Sequence, residues 1–121
     1  MISSSLYYAL HSMLKHPCIV PLLGCIHARH HEYTLLQPLI PGGTLEKALS
    51  CLDWLTWGAY CRLMLDVALA MQYLHSFREN GISKPIIHVD LHANNILINS
   101  KDPAEFTPMG LVSGINSTFR R

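Results

Sequence analysis

Charge is what this chain has least of. Only 14% of its 121 residues are Asp, Glu, Lys or Arg, where an average soluble domain carries roughly a quarter. Nine basic side chains face eight acidic ones, a net charge of +1, so nothing favours nucleic acid or an anionic membrane surface as a partner. No apolar run approaches the ~18 residues of a membrane span. The start, Met1-Ile2-Ser3-Ser4-Ser5, lacks the basic lead and continuous apolar core of a signal peptide. Cys18, Cys25, Cys51 and Cys61 never fall at C-x-x-C spacing, so reduced, buried thiols in a cytoplasmic protein are the expectation. Repeats, low-complexity segments and linkers are missing too, and the length suits one domain.

Half of the residues are hydrophobic, and their spacing outlines an α+β chain. Residues 56–77 contain no proline, and Tyr60, Leu63, Met64, Val67, Met71 and Leu74 recur at the spacing of one helical face. Thr56 is a suitable N-cap, and Asn80-Gly81 supplies a stop just beyond. Thr44 can cap a shorter helix with Glu46 in its first turn, where the helix dipole favours a carboxylate. Ile19–Ile26 and Tyr33–Gln37 bracket the polar stretch 27–32, which predicts an antiparallel hairpin. Pro21 makes the first of these an edge or bulged strand. The order of helices, hairpin and short strands is an α+β pattern.

The most informative stretch runs from Ile86 to Ile98. Two short isoleucine-rich runs, which read as buried strands, flank His88, Asp90 and Asn95. A polar loop held at both ends is a common seat for catalytic side chains. An Asp that takes a hydroxyl proton and an Asn that ligates magnesium fit this spacing, because phosphoryl transfer is mostly positioning and charge neutralisation. His88, Asp90, Leu91 and Asn95 match the protein-kinase catalytic loop H-R-D-L-x-x-x-N, with Val89 in place of the Arg.

Further segments resemble the same family in the same order. His16-Pro17-Cys18-Ile19-Val20-Pro21-Leu22-Leu23-Gly24 resembles the passage from the family's helix C into its fourth strand. Tyr33 to Leu45 resembles its fifth strand, the adenine-binding hinge and the start of its helix D, and Leu63 to His75 resembles its helix E. Together they cover residues 7–98. The resemblance implies an incomplete two-lobed kinase-like fold over residues 1–121: an N-lobe remnant at 1–37, a hinge at 38–43 and the start of the C-lobe at 44–121. It implies ATP and magnesium as cofactors and a protein substrate. Asp90 becomes the general base and Asn95 a magnesium ligand. Gln37 takes the gatekeeper position, Pro38 and Ile40 the hinge positions whose backbone meets adenine, and Leu97 the position beneath the ring. His92 stands where many kinases carry Lys or Ala, and either touches a transferred phosphate or is an ordinary loop histidine.

The departures set the expectation for activity. The family's Gly-rich loop and strand Lys have no counterpart before residue 7, and Tyr7 holds the position of the Glu that pairs with that Lys. The D-F-G position falls on Pro108-Met109-Gly110 or, with a longer connection, on Val112-Ser113-Gly114, and neither contains an Asp. Phosphoryl transfer in the family needs both the Lys–Glu pair and that Asp, so these residues alone are expected to be inactive. Val89 implies that the usual link from the loop to a phosphorylated activation segment is missing. Two other functions compete: a pseudokinase or binding fragment, and a small-molecule kinase of the aminoglycoside or choline type, whose H-x-D-L-H-x-x-N loop suits Leu91-His92.

Bland readings stand beside these. Asp90 and Asn95 serve equally well in a turn or cap, and Leu97 as core. Asp66 reads as a solvated or helix-bonded residue. Metal ligation is open to His88, Asp90 and His92, which alternate and on a strand would share one side, and to the cluster His27, His30 and His31. The helix over 56–77 also carries Leu65, Leu69 and Ala70 around its circumference. A helix apolar nearly all round is normally buried on several faces, so self-association or a partner covering it is expected.

Overall fold

The computed structural model describes residues 12–27, 33–50, 55–88, 90–100 and 108–113. Its longest element is helix α2, Trp57–His75, preceded by the short helix α1, Leu45–Leu49. Both begin where a hydroxyl can take up an orphan amide. The Thr44 side chain accepts from Lys47 N–H and the Thr56 side chain from Ala59 N–H. Leu63, Val67, Ala70 and Leu74 form the buried stripe of α2, whereas Leu65 and Leu69 face solvent. The helix is therefore apolar all round but buried on one side. No helix among the described residues is long and apolar enough to cross a membrane.

Among the described residues, three two-stranded antiparallel sheets complete the α+β architecture. Strands β1 (Gly24–His27) and β2 (Tyr33–Leu36) form the hairpin foreseen for residues 19–37, but its first arm is shorter than expected. Pro21 donates no ladder bond, and the residues before it pair elsewhere. Strands β3 (Arg78–Glu79) and β4 (Ile82–Ser83) pair across Asn80-Gly81, both at positive φ. That is the two-residue hairpin turn which Asn-Gly favours, so the dipeptide read as a helix stop also reverses the chain.

The strand expected over Ile86–His88 does not form. Ile86 N–H instead donates to the Leu74 carbonyl, and Lys84 N–H to that of Phe77. The segment packs on the end of α2, meeting one carbonyl of the last helical turn and one just beyond it.

Strand β5 (Ile96–Ile98) pairs with β6 (Gly110–Val112). All of β6 is buried, and it is the hub of the molecule. On its other edge Val112 N–H donates to the Cys18 carbonyl and Val20 N–H to the Val112 carbonyl, a parallel bridge to residues 18–20. From the helix side, Asp66 Oδ2 accepts from Met109 N–H at 2.8 Å and from Gly110 N–H at 3.1 Å. Asp66 is only 2% exposed, so of the solvated and helix-bonded readings the solvated one fails: it is a buried carboxylate that also holds a strand. Arg62, one helical turn before it, completes an ion pair at 3.4 Å. The Cys18 thiol lies 4.0 Å from Asp66 Oδ1. Burial and the neighbouring carboxylate push that thiol up to about 11, although Arg62 opposes the shift.

Candidate functional site

The loop between residues 88 and 96 is built on one buried ring. His88 lies in the core edge, with Asp90 N–H donating to its Nδ1 at 3.2 Å and its Nε2 paired with the Ser113 carbonyl at 2.6 Å. With Nδ1 accepting, Nε2 is the ring nitrogen that donates to the Ser113 carbonyl. Ser113 follows β6 directly. Its N–H and its hydroxyl both donate to the Asn95 carbonyl, at 2.8 and 3.1 Å. Both ends of the loop are thus fixed to one residue.

Asp90 and Asn95 sit on the same side of the loop. The Asn95 amide nitrogen donates to the Asp90 carbonyl at 2.8 Å and lies 3.4 Å from Asp90 Oδ2. With its nitrogen engaged, Asn95 has its amide oxygen as the side-chain atom chemically able to meet a cation, and the Asp90 carboxylate is open to solvent. His92 caps the single 3₁₀ turn Ala93–Asn95, with Nδ1 accepting from Asn94 N–H at 3.1 Å. Its Nε2 lies 3.3 Å from Asp90 Oδ1, so His92 borders the carboxylate directly. Val89 lies outside the described residues, as does Tyr7.

The zinc-like reading of His88, Asp90 and His92 is overturned. Both ring nitrogens of His88 are engaged, and the segment is not a strand. Among the described residues no group of three His, Cys, Asp or Glu could hold a metal ion. The alternative cluster at His27, His30 and His31 lies outside the residues whose side chains are described.

At the hinge, Gln37 is exposed, while Pro38 and Ile40 are half-buried. The Ile40 carbonyl accepts from Gly43 N–H at 3.3 Å, so of its two backbone groups the N–H is the one left to meet a ligand. Gly43 O accepts from Ile98 N–H, and Thr44 bridges to Leu97, which docks the hinge on β5. Leu97 is half-buried, on the opposite face of β5 from the buried Ile96 and Ile98. A shallow cleft of about 270 Å³ opens here, lined by Pro41, Gly42, Ile98, Asn99 and Ser100. Gln37, Pro38, Ile40 and Leu97 do not line it.

The positions where a second metal ligand was sought are occupied by structure. Met109 and Val112 are fully buried, and Gly110 is bonded to Asp66. Ser113 alone reaches the loop; Gly114 lies outside the described residues. Sequence reasoning missed β6 and Asp66, although Asp66 shares the spacing of Leu63, Val67, Ala70 and Leu74 and so was placed on the buried stripe by periodicity.

Known proteins share this pattern. The profile of a family described as protein tyrosine and serine/threonine kinase matches residues 6–120. A probable L-type lectin-domain containing receptor kinase S.5 of Arabidopsis thaliana is 33% identical over 109 residues, 87% of this chain. The dual specificity testis-specific protein kinase 1 of Homo sapiens is 36% identical over 90 residues, 74% of the chain. The U-box domain-containing protein 70 of Oryza sativa subsp. japonica is 32% identical over 103 residues, 83% of the chain. The chain spans between 12% and 16% of the length of these relatives.

Proposed function

The chain belongs to the protein tyrosine and serine/threonine kinase family, and on that premise we propose that residues 37–98 carry the hinge and catalytic loop of a phosphotransferase acting from ATP on a protein hydroxyl. The observation that carries this reading is the placement of Asp90 and Asn95 on one side of a braced loop. Asp90 accepts the hydroxyl proton as the oxygen attacks the terminal phosphorus, and the bond to the ADP oxygen breaks. Asn95, through its amide oxygen, is the residue that would hold magnesium, which supplies charge neutralisation on the phosphates. His92 Nε2, beside the carboxylate, is placed to orient it and to meet a transferred phosphate. Ile40 N–H, the Pro38 carbonyl, Gln37 and Leu97 form the adenine side.

Transfer by the chain itself is expected to be undetectable. Phosphoryl transfer in the family needs a second metal-binding carboxylate, and residues 108–113 offer none. This same lack supports the second reading, a binding fragment that does not transfer phosphate. Nucleotide binding tests the site. Titration of ATP, followed by NMR and calorimetry, should perturb the Ile40 and Leu97 amides with weak affinity and almost no response to magnesium. Micromolar binding strengthened many-fold by magnesium would refute the weak-site reading, and an ATP response that bypasses Ile40 and Leu97 would refute the hinge assignment.

A further inference from the structure

We propose that Asp66 is the positioning residue of the catalytic loop, acting through strand β6 although it touches neither Asp90 nor Asn95. This inference rests on the reading of Asp90 and Asn95 given above and names what holds them. One oxygen of Asp66 accepts two consecutive backbone amides, Met109 at 2.8 Å and Gly110 at 3.1 Å. A carboxylate this deeply buried has to be paired, and Asp66 is paired with the strand as well as with Arg62. Its grip fixes the first residues of β6 against α2. The strand is then pinned on both edges, by β5 and by the segment around Cys18 and Val20.

The far end of β6 delivers Ser113 to the loop. The Ser113 carbonyl is the partner of His88 Nε2, and its N–H and hydroxyl are the partners of the Asn95 carbonyl. His88 in turn sets the Asp90 backbone through Nδ1. A path of hydrogen bonds joined by the backbone of Met109–Ser113 therefore runs from Asp66 to the main chain of both functional residues. In a strand of three residues there is little slack to absorb a shift at one end, so sliding at Gly110 moves Ser113. The remaining loop bonds, Asn95 to Asp90 and His92 to Asp90, are internal and cannot anchor the loop to the body of the protein.

Amide hydrogen exchange on the full chain tests this without requiring transfer activity. In Asp66→Asn, exchange should accelerate about tenfold or more at Met109 and Gly110, and by a comparable factor at Ser113 and Asp90. Leu23 N–H, which bonds to Leu36 at the base of the β1–β2 hairpin and to no residue of β6, should keep its rate. Acceleration at Met109 and Gly110 alone would overturn the proposal, because Asp66 would then be a local strap. Equal acceleration everywhere, Leu23 included, would also overturn it, because the residue would then serve global stability only. If Asp66→Asn does not fold, exchange of the unsubstituted chain in rising urea decides. Met109, Gly110, Ser113 and Asp90 must merge into one opening event, and separate behaviour of Asp90 overturns the inference. A broken link leaves the assignment of Asp90 standing, and an ATP response that bypasses the hinge leaves the link standing, so the two failures are distinguishable.

Discussion

The loop carrying Asp90 and Asn95 and the segment 37–43 both reach solvent, yet they are held in opposite ways. Residues 88–95 are tied to the core through side chains, with His88 buried and Ser113 bonded to both ends of the loop. Residues 37–43 are tied through backbone, by the Ile40–Gly43 turn and the Gly43–Ile98 bond, while Leu39 is 92% exposed. On the function proposed above, the Asp90 side chain takes a proton and needs its own position fixed to within a fraction of an ångström. A segment that meets its ligand through backbone groups needs only its path fixed. Polar scaffolding therefore concentrates at the loop, and the hinge relies on close approach of main chain.

Substitutions that strip the polar scaffold should be the most damaging. Asp66→Ala leaves two buried amides without an acceptor and Arg62 without its carboxylate, and should cost about 3–5 kcal/mol. Urea unfolding would show a collapsed or lost transition, and a loss below about 1 kcal/mol would contradict the comparison. At the hinge the sensitive point is Gly42. A Cβ there would overlap the Ile98 carbonyl oxygen and lie 2.7 Å from the Ile98 Cβ, so Gly42→Ala should push the hinge off β5 and cost about 1–3 kcal/mol. Its marker is loss of protection at Ile98 N–H with the Asp90 amide unchanged.

Smaller effects sharpen the contrast. The Cys18 thiol has its folded pKa raised to about 11 from 9.0. The unfolded chain therefore loses its proton first as pH rises, so the Cys18 contribution is intact below about pH 9 and lost as pH climbs to 11. A rise from 9.0 to about 11 caps the loss at about 2.7 kcal/mol, visible as a thermal midpoint that falls more steeply with pH in the parent than in Cys18→Ala. Least of all, Leu39→Ser should change stability by no more than about 0.5 kcal/mol. A larger loss on thermal unfolding would mean that the hinge side chains carry packing after all.

Legibility in the sequence followed the length of each signal. Helix α2 announced itself through several turns of periodic apolar residues and a capping Thr56, and α1 through Thr44. The family was readable here because His88, Asp90, Leu91 and Asn95 match the spacing of its loop motif. Strand β6 was not, because three residues are too few to show alternation and its burial comes from three different neighbours. The turn at Asn80-Gly81 carried a hairpin signal, but the flanking strands have only two residues each. Ile86–His88 misled because isoleucine content favours strands, whereas the open carbonyls at the end of α2 captured the amide of Ile86. Asp66 looked ordinary because helix surfaces carry many carboxylates; only its register on the buried stripe set it apart.

The bridge between Ile19 and Val112 also carries a consequence for timing. It joins segments that lie far apart along the chain, and such contacts close slowly because the intervening loop must first lose its freedom. Helix α2 and the β1–β2 hairpin use near neighbours and can form on the microsecond scale. On a ribosome, the Asp90–Asn95 loop would emerge before the strand that braces it. Assembly of the loop therefore waits for this long-range contact, and a nascent or half-folded chain presents the helix and hairpin before the Asp90–Asn95 geometry is set.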